Sequence, residues 1–170
     1  ADAGQFHDPA ADGEALVVRP RTLEDNATPS GNSAATFSLL RLAAFTGEDR
    51  YREVAERVLR DLGRLLQRAP LAFGHLLGAL DFHLATPREV VLVGERDAPD
   101  TRALLEVFDS RYRPTTILAG KAPRSTEDED LPLLAGRTPV GGKAAAYVCE
   151  RFACRRPVAE PSALKEELDG

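Results

Sequence analysis

The feature that most constrains this chain is a change of hydrophobic pattern from one helix to the next between residues 33 and 85. From 33 to 46 the side chains are apolar nearly all round (Ala34, Ala35, Phe37, Leu39, Leu40, Leu42, Ala43, Ala44, Phe45), and Gly47 then supplies a helix stop. A helix without a polar face has to be surrounded by other elements. From 48 to 67 the pattern differs. Tyr51, Val54, Ala55, Val58, Leu59, Leu62, Leu65 and Leu66 recur at spacings of three and four, with Arg and Glu filling the other side. That periodicity describes a helix with one buried and one wet face. After Pro70 a third helix is expected over 71–85, again apolar on most sides through Phe73, Leu76, Leu77, Leu80, Phe82 and Leu84. An inner, outer, inner alternation is what a layered ring of helices requires. Three helices cannot close a ring, so the two apolar ones need neighbours upstream or in another subunit.

Beyond residue 86 the period shortens. Residues 89–94 form a β-branched run, 100–111 read as a helix with Leu104, Leu105, Val107 and Phe108 apolar, and 115–119 read as a second strand. Strand, helix, strand within about thirty residues suggests one parallel βαβ unit. A loop is expected over 121–136, a hairpin from 144–149 and 154–158 around residues 150–153, and a tail helix over 162–168. Residues 1–31 read as irregular, with a brief strand at 15–18 limited by Pro20. The expected fold is therefore mainly α with a small α/β part, divided into residues 1–86 and 87–170.

Composition excludes several classes of function. The net charge is −5 and the pI is near 5.3, and the basic residues are dispersed, with Arg155-Arg156 as the sole adjacent pair. A nucleic-acid surface needs a basic stripe. No apolar run reaches the roughly 18 residues of a membrane span, and no basic-then-apolar signal opens the chain. Two cysteines are too few for a disulfide-dense secreted scaffold. Without a secretory context the Asn26-Ala27-Thr28 sequon carries no weight. A cytoplasmic location is the expectation. The chain starts Ala1-Asp2-Ala3 and has no Met, so upstream sequence is expected to exist.

The residues able to carry chemistry fall in two places. The segment 24–33 places a carboxylate, two amides and several hydroxyls in front of an apolar helix. Asp25, Asn26, Ser30, Asn32 and Ser33 are the candidates. Free amides at a helix start attract polar ligand atoms. Two readings are open. These side chains either cap the helix and shape the turn, or the surplus over what one cap needs points into a shared concavity. The second place is Cys149 and Cys154, which four intervening residues set opposite each other across a hairpin. A disulfide or dithiol is then geometrically possible, and two reduced cysteines are the alternative. The spacing is not C-x-x-C, and no further Cys or Cys/His pair completes a zinc site. Asp81 stands in an apolar helix, where capping or ion pairing is its expected role, and its spacing from His75 puts the two on different faces. Gly94-Glu95-Arg96-Asp97 and Gly141-Gly142-Lys143-Ala144 fail as phosphate-binding fingerprints.

Several stretches carry a family resemblance. Residues 14–21 and above all 24–33, then Ala79-Leu80-Asp81-Phe82, residues 88–94, Pro99-Asp100-Thr101, and Ala146-Tyr147-Val148-Cys149 with Cys154 resemble the spermatogenesis-associated thioredoxin-like proteins and their bacterial relatives. Where those relatives usually have Gly-Gly-Phe-aromatic-Asp, this chain has Gly4-Gln5-Phe6-His7-Asp8. The resemblance implies a parent with a thioredoxin-like domain followed by an (α/α)6 toroid similar to acylglucosamine 2-epimerases. Residues 1–86 would be its last helices with the loop before them, and 87–170 a small C-terminal α/β subdomain. In such toroids the loops leading into inner helices surround the cavity, which places 25–33 beside a small polar ligand, such as a sugar. The fragment alone is expected to be inactive. A sugar-epimerase-like or redox-linked activity would belong to the parent. The implied partners are the upstream toroid and thioredoxin-like domains of the same chain, with no cofactor and no metal expected. A structural module supporting the thioredoxin-like domain, and a redox role for Cys149 and Cys154, are the rival implications.

Overall fold

The computed structural model describes residues 6–9, 12–13, 17–125 and 131–170. Among them the chain forms five α-helices and a four-stranded mixed sheet, so it is helical with a small α/β part. It divides into a helical unit, Ala1–Ala43 with Glu48–Ala85, and an α/β unit, Ala44–Gly47 with Thr86–Gly170. Of the strand expected at 15–18, residues 15 and 16 lie outside the described residues, and Val17 and Val18 are exposed and not in a strand.

The helical unit carries α1 (Gly31–Thr46), α2 (Asp49–Arg68) and α3 (Gly74–Leu84). In α2 the buried residues are Ala55, Val58, Leu59, Leu62 and Leu66, the single stripe that its periodicity dictates. Helix α1 is unusual. It buries Asn32, Ser33 and Thr36 ahead of Leu40 and Ala43, while Leu42 is exposed. The third helix starts later than its apolar run. Pro70–Ala72 forms a short 3-10 turn, and Phe73, with φ near −135°, breaks the helical path before Gly74. Phe73, Leu76, Ala79 and Phe82 are buried, and the Phe37 ring meets Phe82 edge-on at 5.6 Å and His75 at 5.4 Å. Asp81 is exposed, so it bears no cost of burial.

In the α/β unit, β1 (Arg88–Val93) pairs in parallel with β2 (Thr116–Lys121) through the intervening α4 (Pro99–Asp109). β1 also pairs antiparallel with β3 (Ala145–Glu150), which pairs with the two-residue β4 (Ala153–Cys154), and α5 (Pro161–Asp169) follows. The strand order is β2-β1-β3-β4. The second arm of the hairpin is shorter than the apolar pattern suggests. Beyond Cys154 it keeps only the Arg155 amide on Val148 O and an isolated bridge from Val158 to Ala146. Pro157 has no amide to give to the ladder.

Alternation sorts the two faces of this sheet. Val90, Leu92, Ala146 and Val148 pack with Leu104 of α4 and Leu164 and Leu168 of α5. Gly94, at the end of β1, is required by close approach. A Cβ there would strike the Thr101 side chain and come within 2.8 Å of Ala144 Cβ. The opposite face carries Glu89, Val91, Tyr147 and Cys149, and residues 131–140 bond to it. Tyr147 Oη donates to Thr138 O (2.7 Å), accepts from Thr138 N (3.1 Å), and has the Arg137 guanidinium over its ring.

Candidate functional site

The loop 24–33 is built by a sequence that spends its polar atoms locally. Ser30, immediately before α1, accepts the Ser33 amide on Oγ at 3.1 Å, the bond expected of an N-cap serine. Its hydroxyl also lies 2.9 Å from Ser33 Oγ and 3.2 Å from Leu23 O. Asn32 is fully buried. Its Oδ1 accepts from Phe6 N (2.8 Å), while Nδ2 donates to Phe6 O (3.0 Å) and Thr22 O (3.1 Å). An asparagine has two amide protons to donate, and both are in use here. Nearby, Asp8 accepts from the amide and hydroxyl of Thr22, which closes the same loop from the other side.

Asp25 reaches furthest. One carboxylate oxygen accepts from Ser30 N (2.9 Å), and the other accepts from His75 N (2.8 Å) and Leu76 N (3.2 Å). Its own amide donates to Ala72 O at 2.8 Å. Helix α3 has no side-chain cap from Phe73, so its first amides would otherwise lack partners. Asp25 supplies that cap from fifty residues away and ties the starts of two helices together. Burial works to raise its carboxyl, but the Ser30 amide, the Ser33 hydroxyl and the amides of Leu76 and His75 together hold it below the ordinary carboxylate range. Asn26 stands apart from the other four, with its side chain exposed.

The two cysteines form the second site. Cys149 of β3 stands opposite Cys154 of β4, and the two are joined as a disulfide with Cα atoms 3.9 Å apart. Cys149 is buried and Cys154 is half-buried. The hairpin between them turns on two residues, Arg151 and Phe152, with φ of 51° and 64°. Such a turn favours Asn or Gly, because both central residues occupy left-handed backbone. Arg and Phe hold that conformation only with support from their surroundings.

The support comes from a residue that sequence reasoning missed. Glu89 of β1 lies directly opposite Cys149, so Glu89, Cys149 and Cys154 make one row across three strands on one face of the sheet. Glu89 is 4% exposed, and its Oε2 accepts from Phe152 N at 2.8 Å. Burial pushes its carboxyl above the ordinary range, helped by the neighbouring Glu150. The amides of Phe152 and Arg151 and the charge of Arg137 pull the other way without cancelling it. The available signal was a lone carboxylate inside the run Arg88-Glu89-Val90-Val91-Leu92-Val93, where period-two alternation puts it on the face of Val91 and Val93.

Comparison with known proteins gives a consistent picture. The chain is 34% identical to human spermatogenesis-associated protein 20 over 167 residues, 97% of this chain and 21% of that protein. It is 32% identical to the mouse protein of the same name over the same shares. An uncharacterized Caenorhabditis elegans protein is 30% identical over 156 residues, 90% of this chain. The chain therefore spans about a fifth (21%) of the length of each of these relatives. No protein-family model matches it, and no solved structure matches it significantly.

Proposed function

This chain belongs to the family of spermatogenesis-associated protein 20, as the counterpart of 21% of that protein's length, and on that premise we propose that its helical unit is a structural part of a larger helical ring in a longer parent. The observation that carries this is the use made of Asp25, whose carboxylate is bonded to the amides of Ser30, His75 and Leu76. A side chain so committed fixes helix starts and has little left for a ligand. Two further features support the reading. Leu71 and Leu84 are largely exposed and Leu42 partly so, which suits surfaces that other helices of a toroid would cover. The polar N-terminal half of α1 is sealed by the chain's own backbone. In this proposal residues 1–86 are the last toroid helices and 87–170 a C-terminal subdomain of a cytoplasmic protein whose thioredoxin-like domain lies upstream.

The competing assignment gives the loop to a small polar ligand, with Asp25, Asn26, Ser30, Asn32 and Ser33 around a sugar. The experiment is to express the parent as wild type and with Asp25→Asn, and to screen sugars and sugar phosphates against both by thermal shift. The structural reading expects lower stability in the variant and no ligand protection that depends on Asp25. A sugar that protects the wild type and loses its effect in a variant of unchanged stability would overturn it.

A second reading is favoured by a specific observation in the other unit. The disulfide between paired residues of adjacent strands supports thiol–disulfide exchange at Cys149 and Cys154. Treatment of the parent with a dithiol, followed by alkylation and mass analysis of the peptides carrying the two cysteines, tests whether the bond opens under mild reduction.

A further inference from the structure

We propose that Glu89 is the proton donor and acceptor for the Cys149–Cys154 couple, serving a dithiol or disulfide co-reactant. The inference deepens the thiol–disulfide reading above and rests on it. Its basis is the row that the register creates: Glu89 opposite Cys149, and Cys149 opposite Cys154, on one face of the sheet. The two sulfurs are not equivalent. Cys154 is half-buried and Cys149 is 1% exposed. An incoming thiolate therefore reaches Cys154 Sγ, and the bond to Cys149 breaks, leaving a thiolate on Cys149.

A thiolate in a buried site is a poor leaving group, because burial disfavours the charged form. A carboxylic acid facing it removes the difficulty. The Glu89 carboxyl gives its proton to Cys149 Sγ, leaving a thiol and a carboxylate that the Phe152 amide already bonds. The second thiol of the reductant then attacks its own sulfur in the mixed disulfide and releases Cys154 as a thiolate, which takes a proton from solvent. The dithiol is oxidised by two electrons to a disulfide, and the cysteine pair is reduced to two thiols. In the oxidising direction the Glu89 carboxylate takes the Cys149 proton back as its thiolate attacks the mixed disulfide at Cys154.

The groups that face Glu89 make it suitable for this role. The charges acting on it are Glu150 of β3 and Arg137 from the segment bonded to the same face, with opposite effects. Burial holds the carboxyl protonated to higher pH than an exposed glutamate.

The same hydrogen bond to Phe152 would also serve a merely structural Glu89 that braces the turn, so the test must separate the two roles. It uses the full-length parent with dithiothreitol as the reductant, from pH 5 to 9. The reduced fraction of Cys149 and Cys154 is followed by acid quench, alkylation and peptide mass analysis. Rates are divided by the concentration of dithiothreitol thiolate at each pH. For the wild type this normalised rate should fall by up to about tenfold per pH unit once Glu89 ionises. Glu89→Gln keeps an oxygen for the Phe152 amide and loses the proton, so its profile should be flat and low. Glu89→Asp keeps an acid, so its profile should still fall with pH. Profiles of the same shape in wild type and Glu89→Gln overturn the role of Glu89 while leaving the exchange reading standing. A flat Glu89→Asp profile overturns it as well, and covers the case in which Glu89→Gln does not fold. A disulfide that dithiothreitol leaves intact in the wild type sinks the exchange reading, and this proposal with it.

Discussion

The helical unit and the α/β unit each place a carboxylate on backbone amides, and they do so with opposite electrostatic results. Asp25 accepts from Ser30, His75 and Leu76 and is held below the ordinary carboxylate range. Glu89 accepts from Phe152 and lies in the sheet interior, where its carboxyl is pushed above that range. In both, burial acts to raise the carboxyl. At Asp25 the donors outweigh it, because the side chain is only half-buried and meets two helix starts, whose free amides favour an anion. At Glu89 the removal of water dominates. A carboxylate clamp is therefore not one device. Its ionised form holds helix ends at a surface, and a carboxyl that gives up its proton less readily braces a turn inside a sheet.

The largest expected effect tests whether the helical unit depends on its polar loop as strongly as the α/β unit depends on its apolar face. Asn32→Ala removes all three bonds that tie Phe6 and Thr22 to the start of α1. The three bonds are part-buried, and hydrogen bonds of this kind contribute about 0.5–1.5 kcal/mol each, so a total of about 2–4 kcal/mol is expected. Peptide-resolved hydrogen exchange in the parent would report it as lost protection over residues 31–46. Unchanged protection there would mean that the loop is not what holds α1, and the contrast between the two units would lose half its basis.

Much of this architecture was legible in the chain, for reasons that differ between the units. The stripe of Ala55, Val58, Leu59, Leu62 and Leu66 states a helix and its buried face at once, since local periodicity alone carries both. The strand-helix-strand run after residue 87 was equally local. Asp25 was visible as a polar residue near a helix start, but the helix whose amides it caps from outside is fifty residues away, and no local pattern encodes that. The late start of α3 was hidden because Leu71, Ala72 and Phe73 continue an apolar run, while Phe73 leaves the helical backbone. Glu89 was missed because a strand run rich in Val draws attention from the one carboxylate in it. The placement of Cys149 opposite Cys154 was legible in the spacing, which left open whether they bond, whereas the third member of their row depends on the β1–β3 register, which only the fold supplies.

A smaller effect sharpens the electrostatic half of the comparison. Asp25→Asn keeps the shape but leaves one oxygen to serve amides at two helix starts, and turns an NH2 group toward one of them. Charge-assisted bonds of this kind contribute about 1.5–3 kcal/mol, so a loss of about 2 kcal/mol is expected, seen as faster exchange over residues 74–84. The folded value of Asp25 lies below its unfolded value, so its contribution is present above the unfolded value of about 3.9 and fades as pH falls through the folded one. Wild-type protection over 74–84 should therefore drop in acid, and the Asn variant should lack that part of the drop. A variant as acid-sensitive as the wild type would assign the sensitivity to another group.

The smallest effect is the sharpest contrast, because the matching change in the other unit should do almost nothing. Glu89→Gln resembles the protonated acid, with one oxygen for the Phe152 amide and a neutral polar partner beside it. Glu89 has its folded value raised, so its contribution is complete below the unfolded value of about 4.3 and is lost as pH rises through the folded one. The sign is opposite to that of Asp25. Near pH 5 the variant should differ from the wild type by less than about 1 kcal/mol. As pH rises it should become the more stable of the two, because it has no proton to lose. Exchange over residues 145–154 at both pH values measures the difference. A Gln variant that is clearly less stable at high pH would show that the buried carboxylate is bound better ionised, and the two clamps would then be the same device after all.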